Sequence, residues 1–457
     1  MAYGAVFGEQ GGEQWGSDLR RELALHDWRA ILEHPAVVVH VEPSGRSSLH
    51  RRGVLIAAEG DLDDERLLAN LEDLGIPDPR RDQTGSEYQT GPEEQTGPRD
   101  QTVRRTGLGF AILPLGPNID AVGAATFLRS LEGRRPLRVG PDHLIWPSQG
   151  GVVGPASPPK PAAPDANQLA RRRELAEIRA KVRVAVIDTG LVAGELADPL
   201  LAPNQLAAVT TIANPEADPL WDGGQLLHWT GGHGTHVAGV LAEASGGVAS
   251  IIHFAILVGN GLPVPLVSDS QVGLAVGRAL REGCRVINLS LSGPTAADYE
   301  TIATGLVLGL AAGKVGQTGP RADDAVLVAA AGNDGTSDAQ YPAALKGVLG
   351  VGALTVDGSN RAPFSNFGAW VDCSAVGEDV FGPYVKGLGG PLPGPGGIQT
   401  PFEGWATWSG TSFATPWVAG RIAGRIAQTT SARLAAATVL AEAAPMDPGL
   451  GLGVKVI

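Results

Sequence analysis

The segment VRVAVIDTG at residues 182–190 indicates how the larger, C-terminal part of the chain folds. Its apolar residues are consecutive rather than alternating, which is typical of a strand buried on both faces, and the run ends in an aspartate and a turn. Four similar runs follow, namely IIHFAIL (251–257), VINLSL (286–291), AVLVAAAG (325–332) and GVLGVGAL (347–354). Segments with helical patterns separate them. This alternation predicts a three-layer α/β fold, with a parallel sheet covered by helices.

Residues 1–146 predict a second, smaller α/β domain. Strand-like and helix-like segments alternate there as AVVVHVE (36–42), GVLIAAE (53–59), DLDDERLLANLEDLGI (61–76, an acidic amphipathic helix), LGFAILPLG (108–116), a helix over 120–133 and a strand over 136–147. A polar insert at 82–106, in which QTG recurs, contains too few apolar residues to form a core, so we expect it to be disordered or loosely ordered.

A linker rich in Pro, Gly and Ala at 147–166 separates this block from the domain at 167–457. We expect the linker to be extended and accessible to proteases. A helix follows it at 166–181. The arginines at 171–173 lie on this helix, and we expect them to form a solvated face.

Charge and hydrophobicity exclude two classes of partner. The chain has 457 residues and a net charge of −13, which argues against nucleic acid, because phosphate binding is driven by Lys and Arg. No run of 18 apolar residues is present, so we expect no membrane span.

The N-terminal residues lack a secretory signal pattern, and we expect a cytoplasmic protein, with non-standard export left open. Cys284 and Cys373 lie beside apolar runs and are expected to be buried free thiols.

Four polar residues at the ends of predicted elements could carry chemistry. Asp188 ends a strand, a position equally suited to a metal ligand or a turn cap. His233, in GGHGTHVAGVLA (231–242), begins a helix, and its alternatives are a zinc ligand or a structural histidine. The nearby His236 is expected to be structural.

The other two candidates lie further along the chain. Ser412, in WSGTSFATPWVAGRIAG (408–424), is placed at a helix N-terminus, where the unpaired N–H groups favour an oxyanion, although an ordinary N-cap serine is common there. Pro416 is tolerated in a first helical turn and supports a helix that starts near Ser412. Asn333, in VLVAAAGNDG (326–335), follows a buried strand and is either a side-chain donor or a turn asparagine.

The order Asp, His, Asn, Ser, with the segments HGTHVAG and GTSFATP, resembles the subtilisin-like serine peptidases (subtilases) from Val182 to about Ile457. The resemblance implies a serine endopeptidase in which Ser412 is the nucleophile, His233 the general base and Asp188 its orienting group. Asn333 and the Ser412 backbone N–H would form the oxyanion hole. The substrate, a protein or peptide, would bind along two segments: Ser290, Leu291, Ser292 and Gly293, and Ala330, Ala331 and Gly332.

The resemblance also bears on cofactors and on the N-terminal domain. The segment EASGGVAS (243–250) is shorter than the calcium-binding loop of many secreted relatives, so we expect no essential metal there and no cofactor. The strand–helix–strand pattern at 108–147 resembles subtilase propeptides, which act as intramolecular inhibitors and folding chaperones. An uncleaved accessory domain is the alternative. For the whole chain, a processing protease is expected, and a peptide-binding pseudoprotease that does not cleave is the rival.

Overall fold

The computed structural model describes residues 34–80, 102–147, 158–191, 198–201, 206–211, 221–222, 225–226, 229–257, 266–296, 300, 302–313, 324–389, 400–429 and 431–457. The strands before the linker are β1 (Val37–Val41), β2 (Ser47–Ala58), β3 (Arg104–Arg105), β4 (Phe110–Pro114) and β5 (Val139–Pro147), and the helices there are α1 (Glu65–Leu68) and α2 (Ala121–Ser130).

The strands of the C-terminal body are β6 (Lys160–Pro161), β7 (Val182–Asp188), β8 (Leu206–Thr211), β9 (Trp221–Asp222), β10 (Gln225–Leu226), β11 (Ala249–Ala255), β12 (Val267–Ser268), β13 (Val286–Leu289), β14 (Leu291–Ser292), β15 (Val326–Ala330), β16 (Val348–Leu354), β17 (Cys373–Val376), β18 (Val380–Leu388), β19 (Pro401–Trp408) and β20 (Val454–Lys455). Its helices are α3 (Ala166–Ala176), α4 (His233–Ala244), α5 (Asp269–Arg281), α6 (Ile302–Gly313), α7 (Thr411–Ile426) and α8 (Ala432–Glu442).

The body is built on an eight-stranded sheet in the order β20-β17-β16-β15-β13-β7-β11-β8, in which every neighbouring pair is parallel. Successive residues of β7 face opposite layers. Val184 and Val186 enter the core shared with α4 and α7, while Ala185 and Ile187 enter the core shared with α5 and α6. The continuous apolar runs are therefore explained by burial on both faces. The predicted three-layer α/β fold is confirmed.

The residues before the linker contribute five strands to a seven-stranded antiparallel sheet that packs on α5 and α6. Its order is β12-β5-β2-β4-β3, with β1 paired to β2 and β14 paired to β5, so two of its strands come from the C-terminal body. Ile56, Phe110 and Ile112 from this sheet share an apolar core with those two helices. Gly277 on α5 packs closely against Leu108, which lies just before β4: a Cβ at Gly277 would lie 2.5 Å from Leu108 Cδ1.

The structure does not support every prediction for the segments outside the parallel sheet. The long helix expected at 61–76 is wrong, since only Glu65–Leu68 is α-helical. Asp61 is turned inward to Arg135 and Arg138, and the Asn70 amide donates to the Arg66 carbonyl, so local and tertiary bonds compete with a helix. Residues 82–101 of the insert and 148–157 of the linker lie outside the described residues, but the end of the insert is ordered, since Arg104–Arg105 form β3 and pair with β4. The later linker residues Lys160–Pro161 pair with β19.

The prediction that the arginines at 171–173 form a solvated face is wrong for Arg172. Its guanidinium is buried, forms ion pairs with Asp198 and Glu243, and lies 5.4 Å from the Trp405 ring centroid. The two cysteines are buried and free, as predicted. Within the described residues, no helix has both the length and the apolar character needed to cross a bilayer.

Candidate active site

Asp188 and His233 are in direct contact at the carboxyl end of the parallel sheet. His233 Nδ1–H donates to Asp188 Oδ1 at 2.6 Å, and the same oxygen accepts the Thr189 N–H at 2.7 Å. Both side chains are completely buried. A carboxylate only accepts, so Nδ1 carries a proton, and Nε2 is left as the ring atom that can accept one. That Nε2 makes no hydrogen bond to any described residue.

The close approach of α4 to β7 depends on glycine and on Thr189. The Gly234 N–H, in the first turn of α4, donates to Thr189 Oγ1 at 2.8 Å. A Cβ on Gly234 would lie 2.4 Å from the Thr189 carbonyl oxygen, and one on Gly232 would lie 2.2 Å from a carbon of the Tyr384 ring. The glycines that flank His233 therefore let the helix begin against the end of β7, where Asp188 lies.

Ser412 is the second residue of α7, after Gly410 at the N-cap and Thr411. Its hydroxyl donates to the Ser290 carbonyl at 3.2 Å, and the Ser290 hydroxyl donates to the Ser412 carbonyl at 2.8 Å. The hydrogen bond expected between Ser412 and His233 Nε2 is not formed in this structure. Such bonds often tighten only when substrate binds.

Ser412 nevertheless lies on the same side of the sheet as His233. The ring of Phe413, the next residue along α7, is 5.3 Å from the His233 ring, centroid to centroid. α4 and α7 pack against each other in one apolar core.

Asn333 presents an unused amide N–H₂ beside the start of α7. Its Oδ1 accepts the Thr411 N–H at 2.8 Å, which fixes the orientation of the amide, and its Nδ2 is buried with no hydrogen-bond partner among the described residues. An unpaired buried donor costs about 1–3 kcal/mol, so it is expected chiefly where a ligand supplies the acceptor. This geometry suits a donor for a developing oxyanion.

The first expected substrate-binding segment follows β13. Ser290 bonds to Ser412 as described, and Gly293 forms an antiparallel bridge with Tyr341. Between them, Leu291 and Ser292 form β14, which pairs antiparallel with the last residues of β5: Leu291 with Pro147 and Ser292 with Trp146. A Cβ on Gly293 would lie 3.3 Å from Ile145 Cα, so a side chain at this position would crowd the backbone of β5.

The second expected segment, Ala330 to Gly332, lies at the end of β15 and is completely buried at both alanines. The Ala331 N–H donates to Val351 in the neighbouring strand, and its side chain packs in a small core. Gly332 has a φ of 97° and donates its N–H to Thr411 Oγ1 at 3.1 Å. A Cβ at this glycine would lie 2.4 Å from the amide nitrogen of Asn366.

His236 lies one turn after His233 on α4 and is completely buried. Its Nδ1–H donates to the Pro383 carbonyl at 3.1 Å, and its ring contacts Phe413. Burial is the largest of the causes that lower the pKa of His236 to about 3. These contacts are of the kind expected for the structural role predicted for His236.

The segment expected to lack a calcium site is a tight turn between α4 and β11. The Ser245 hydroxyl donates to the Ala242 carbonyl and accepts the Ala249 N–H, so it closes the turn. In the part of the chain that the structure describes, no three His, Cys, Asp or Glu side chains converge as a metal site requires.

Three residues of the site were not singled out from sequence. Thr189 and Thr411 hold Asp188 and Asn333, and each is the neighbour of a predicted functional residue, which is a usable signal. His253 is the single polar side chain in the apolar run IIHFAIL, and its Nε2–H donates to the Thr189 carbonyl at 2.6 Å.

Known proteins are similar to this chain over the same region. The profile of the subtilase family matches residues 179–441. Subtilisin DY of Bacillus licheniformis is 32% identical over 259 residues, which is 53% of this chain and 76% of that protein. The intracellular serine protease of Paenibacillus polymyxa is 30% identical over 256 residues, 53% of this chain and 65% of that protein. The match thus spans just under two thirds of this second relative.

The chain belongs to the subtilase family, whose members are serine endopeptidases. The predicted family and enzyme class are confirmed. Among solved structures, that of the prenylagaramide maturation protease PagA is similar, with a TM-score of 0.44, 22% sequence identity, and coverage of 63% of this chain and 96% of that one.

Proposed function

We propose that this chain hydrolyses peptide bonds through an acyl-enzyme formed on Ser412. The observation that carries the proposal is the buried contact of 2.6 Å between His233 Nδ1 and Asp188 Oδ1, which leaves Nε2 basic and unoccupied on the Ser412 side of the sheet. His233 Nε2 takes the Ser412 proton as Oγ attacks the carbonyl carbon, and later returns it to the leaving amine. Asp188 holds the tautomer and stabilises the imidazolium.

The oxyanion of the tetrahedral intermediate is stabilised by two donors. These are Asn333 Nδ2, whose orientation is set by Thr411, and the Ser412 backbone N–H at the start of α7. The hydrogen bond from the Thr411 N–H to Asn333 Oδ1, which orients the amide without substrate, supports this role. Water then hydrolyses the acyl-enzyme with His233 again acting as the base.

The N-terminal domain is the intramolecular inhibitor in this proposal. In support, Trp146 and Pro147 pair with β14, and β12 pairs with the preceding residues of β5, so this strand lies between two strands of the body. A protein substrate would bind β14 in the same way, by strand addition. A tethered strand competes at an effective concentration on the order of millimolar. This competition favours selective processing over general degradation.

The rival proposal is a pseudoprotease that binds peptides along β14 without cleaving them. Labelling with a fluorophosphonate separates the two, because the reagent reacts only with an activated serine. The proposal expects the wild-type chain to label and Ser412→Ala not to. If the wild-type chain does not label, including after residues 1–157 are removed by limited proteolysis, the rival is favoured.

A further inference from the structure

His253 lies on β11, behind the turn that carries Asp188. It is completely buried, and its Nε2–H donates to the Thr189 carbonyl at 2.6 Å. A carbonyl only accepts, so the proton is on Nε2, and Nδ1 has no hydrogen-bond partner among the described residues. A polar ring at this depth, with one nitrogen unpaired, is unfavourable for the strand alone.

Thr189 connects three parts of the site. Its carbonyl accepts from His253, its N–H donates to Asp188 Oδ1 at 2.7 Å, and its hydroxyl accepts the Gly234 N–H at 2.8 Å. The N–H, the carbonyl and the hydroxyl of Thr189 thus each form a hydrogen bond. Displacement of its carbonyl would move both the carboxylate that orients His233 and the helix turn that follows His233.

The packing leaves little room for the turn to shift. A Cβ on Gly234 would lie 2.9 Å from His253 Cε1 as well as 2.4 Å from the Thr189 carbonyl oxygen. The imidazole, the carbonyl and the first turn of α4 are therefore in mutual contact. Burial lowers the pKa of His253, so the ring stays neutral and keeps the same N–H directed at Thr189.

We propose that His253 is a positioning residue for peptide hydrolysis: by holding the Thr189 carbonyl, it fixes Asp188 and the start of α4 so that His233 Nε2 faces Ser412. This inference rests on the proposed function, since it assigns a residue that acts through the Asp188–His233 pair. His253 itself touches neither the substrate nor the reacting atoms. A purely structural role would lower stability without changing the chemical step.

The test compares full-length variants by their kinetics of fluorophosphonate labelling, separated into the rate at saturating probe and the apparent binding constant. His253→Leu removes the donor, whereas His253→Gln places an amide N–H near the position of Nε2. Ile251→Ala, two residues earlier on the same face of β11, is the matched control for loss of core volume. Thermal melting is recorded for each variant.

We expect His253→Leu to lower the saturating rate by about tenfold to a hundredfold, the cost of misplacing a catalytic group, with the binding constant within twofold of wild type. His253→Gln should retain at least a third of the wild-type rate. Ile251→Ala should melt earlier but label at the wild-type saturating rate. If His253→Leu does not fold, His253→Asn, whose shorter amide does not reach the carbonyl, takes its place with the same expectation.

Two results would overturn the inference. One is a donor-free variant that labels as fast as wild type, and the other is a loss with His253→Gln as large as with His253→Leu. A wild-type chain that neither labels nor cleaves would refute the proposed function instead, so the two failures are distinguishable.

Discussion

Thr411 holds the side-chain amide of Asn333 with two donors. Its backbone N–H and its hydroxyl both donate to Asn333 Oδ1, at 2.8 and 3.0 Å, while the same hydroxyl accepts the Gly332 N–H at 3.1 Å. The amide therefore has one orientation, with Nδ2 directed away from Thr411. The residue before the proposed nucleophile thus orients the proposed oxyanion donor.

Removal of the Thr411 hydroxyl is expected to reduce kcat with little effect on KM. In Thr411→Val, Asn333 keeps only the backbone donor, and the buried Gly332 N–H loses its acceptor. We expect kcat to fall about tenfold, which corresponds to about 1.4 kcal/mol of transition-state stabilisation. Steady-state cleavage of a peptide substrate measures both constants. Thr411→Ser, which keeps the hydroxyl, should stay within threefold of wild type; equal losses in the two variants would contradict the account.

Asn333→Ala should have a larger effect than Thr411→Val, because it removes the oxyanion donor itself. A loss of about 10²–10³ in kcat is the range found for the side-chain oxyanion donor of subtilisin. Single-turnover acylation kinetics are the appropriate measurement, since the donor acts in that step. A variant that acylates at the wild-type rate would exclude Asn333 from the oxyanion hole.

Asp142 forms one of the polar contacts between the N-terminal domain and the body. Its carboxylate accepts from the Ser270 N–H at 2.9 Å and the Ser270 hydroxyl at 2.8 Å, at the start of α5, and it pairs with Arg51. Asp142→Ala removes the charged acceptor of both Ser270 hydrogen bonds, and a hydrogen bond to a charged group is worth about 1.5–3 kcal/mol. We therefore expect fluorophosphonate labelling of full-length protein to become roughly tenfold faster, as β5 leaves β14 more often.

Asp120→Ala is the matched control for Asp142→Ala. Asp120 caps α2 within the N-terminal domain by accepting the Gly123 N–H at 2.6 Å, and its side chain is exposed. It should lower the stability of that domain without loosening its contact with α5. If both variants label at the wild-type rate, the proposed blocking role of β5 is wrong.

His143 makes stability depend on pH at the same interface. Its Nε2 accepts the Ala296 N–H at 3.0 Å, so the ring must be neutral, and burial together with the nearby His50 and His40 lowers its pKa to about 3. In the unfolded chain the value is about 6.5. The folded state thus binds fewer protons, and its stability is fully present above pH 6.5 and decreases as the pH falls towards 3.

The urea midpoint of the full chain, measured at pH 7.5 and 4.5, tests this dependence. His143→Gln keeps an acceptor for the Ala296 N–H but does not titrate, so its midpoint should fall less between the two pH values than that of wild type. The comparison is made between variants because burial raises the pKa of Asp269 to about 7, which favours folding as the pH falls and acts equally in both. An equal decrease of the urea midpoint in wild type and His143→Gln would show that His143 does not contribute to the pH dependence of stability.

Arg172 is expected to be important for stability although it is far in sequence from its partners. Arg172→Met leaves Asp198 buried without its cation, and loss of one partner of a buried pair costs about 3–5 kcal/mol. Arg173→Met, at an exposed neighbouring position, should change the free energy of unfolding by no more than about 0.5 kcal/mol. Urea denaturation compares the two, and equal effects would contradict the ion-pair explanation.

Local patterns predicted the parallel sheet well because its strands are apolar on both faces. The composition of VRVAVID and VINL alone predicted buried strands, and the structure confirms them as β7 and β13. The four candidate residues could be singled out because each lies at or near the end of a regular element: Asp188 ends β7, His233 begins α4, Asn333 follows β15 and Ser412 is the second residue of α7. Their order along the chain then carried the resemblance to a family.

Contacts between distant segments were not predictable in this way. The burial of Arg172 depends on Asp198 and Glu243, which lie 26 and 71 residues further along the chain. Three adjacent arginines therefore looked like a solvated face, although successive helical residues point in different directions. The single turn at Glu65–Leu68 likewise reflects bonds from Asp61 to arginines more than 70 residues away.

Intact-mass spectrometry of fluorophosphonate-treated wild type beside Ser412→Ala tests the central claim most directly. The account predicts one phosphonyl adduct on wild type, located to Ser412 by peptide mapping, and none on the variant. It also predicts loss of an N-terminal fragment from wild type only, since self-cleavage requires the same serine. An adduct on another serine, or equal labelling of both proteins, would contradict it.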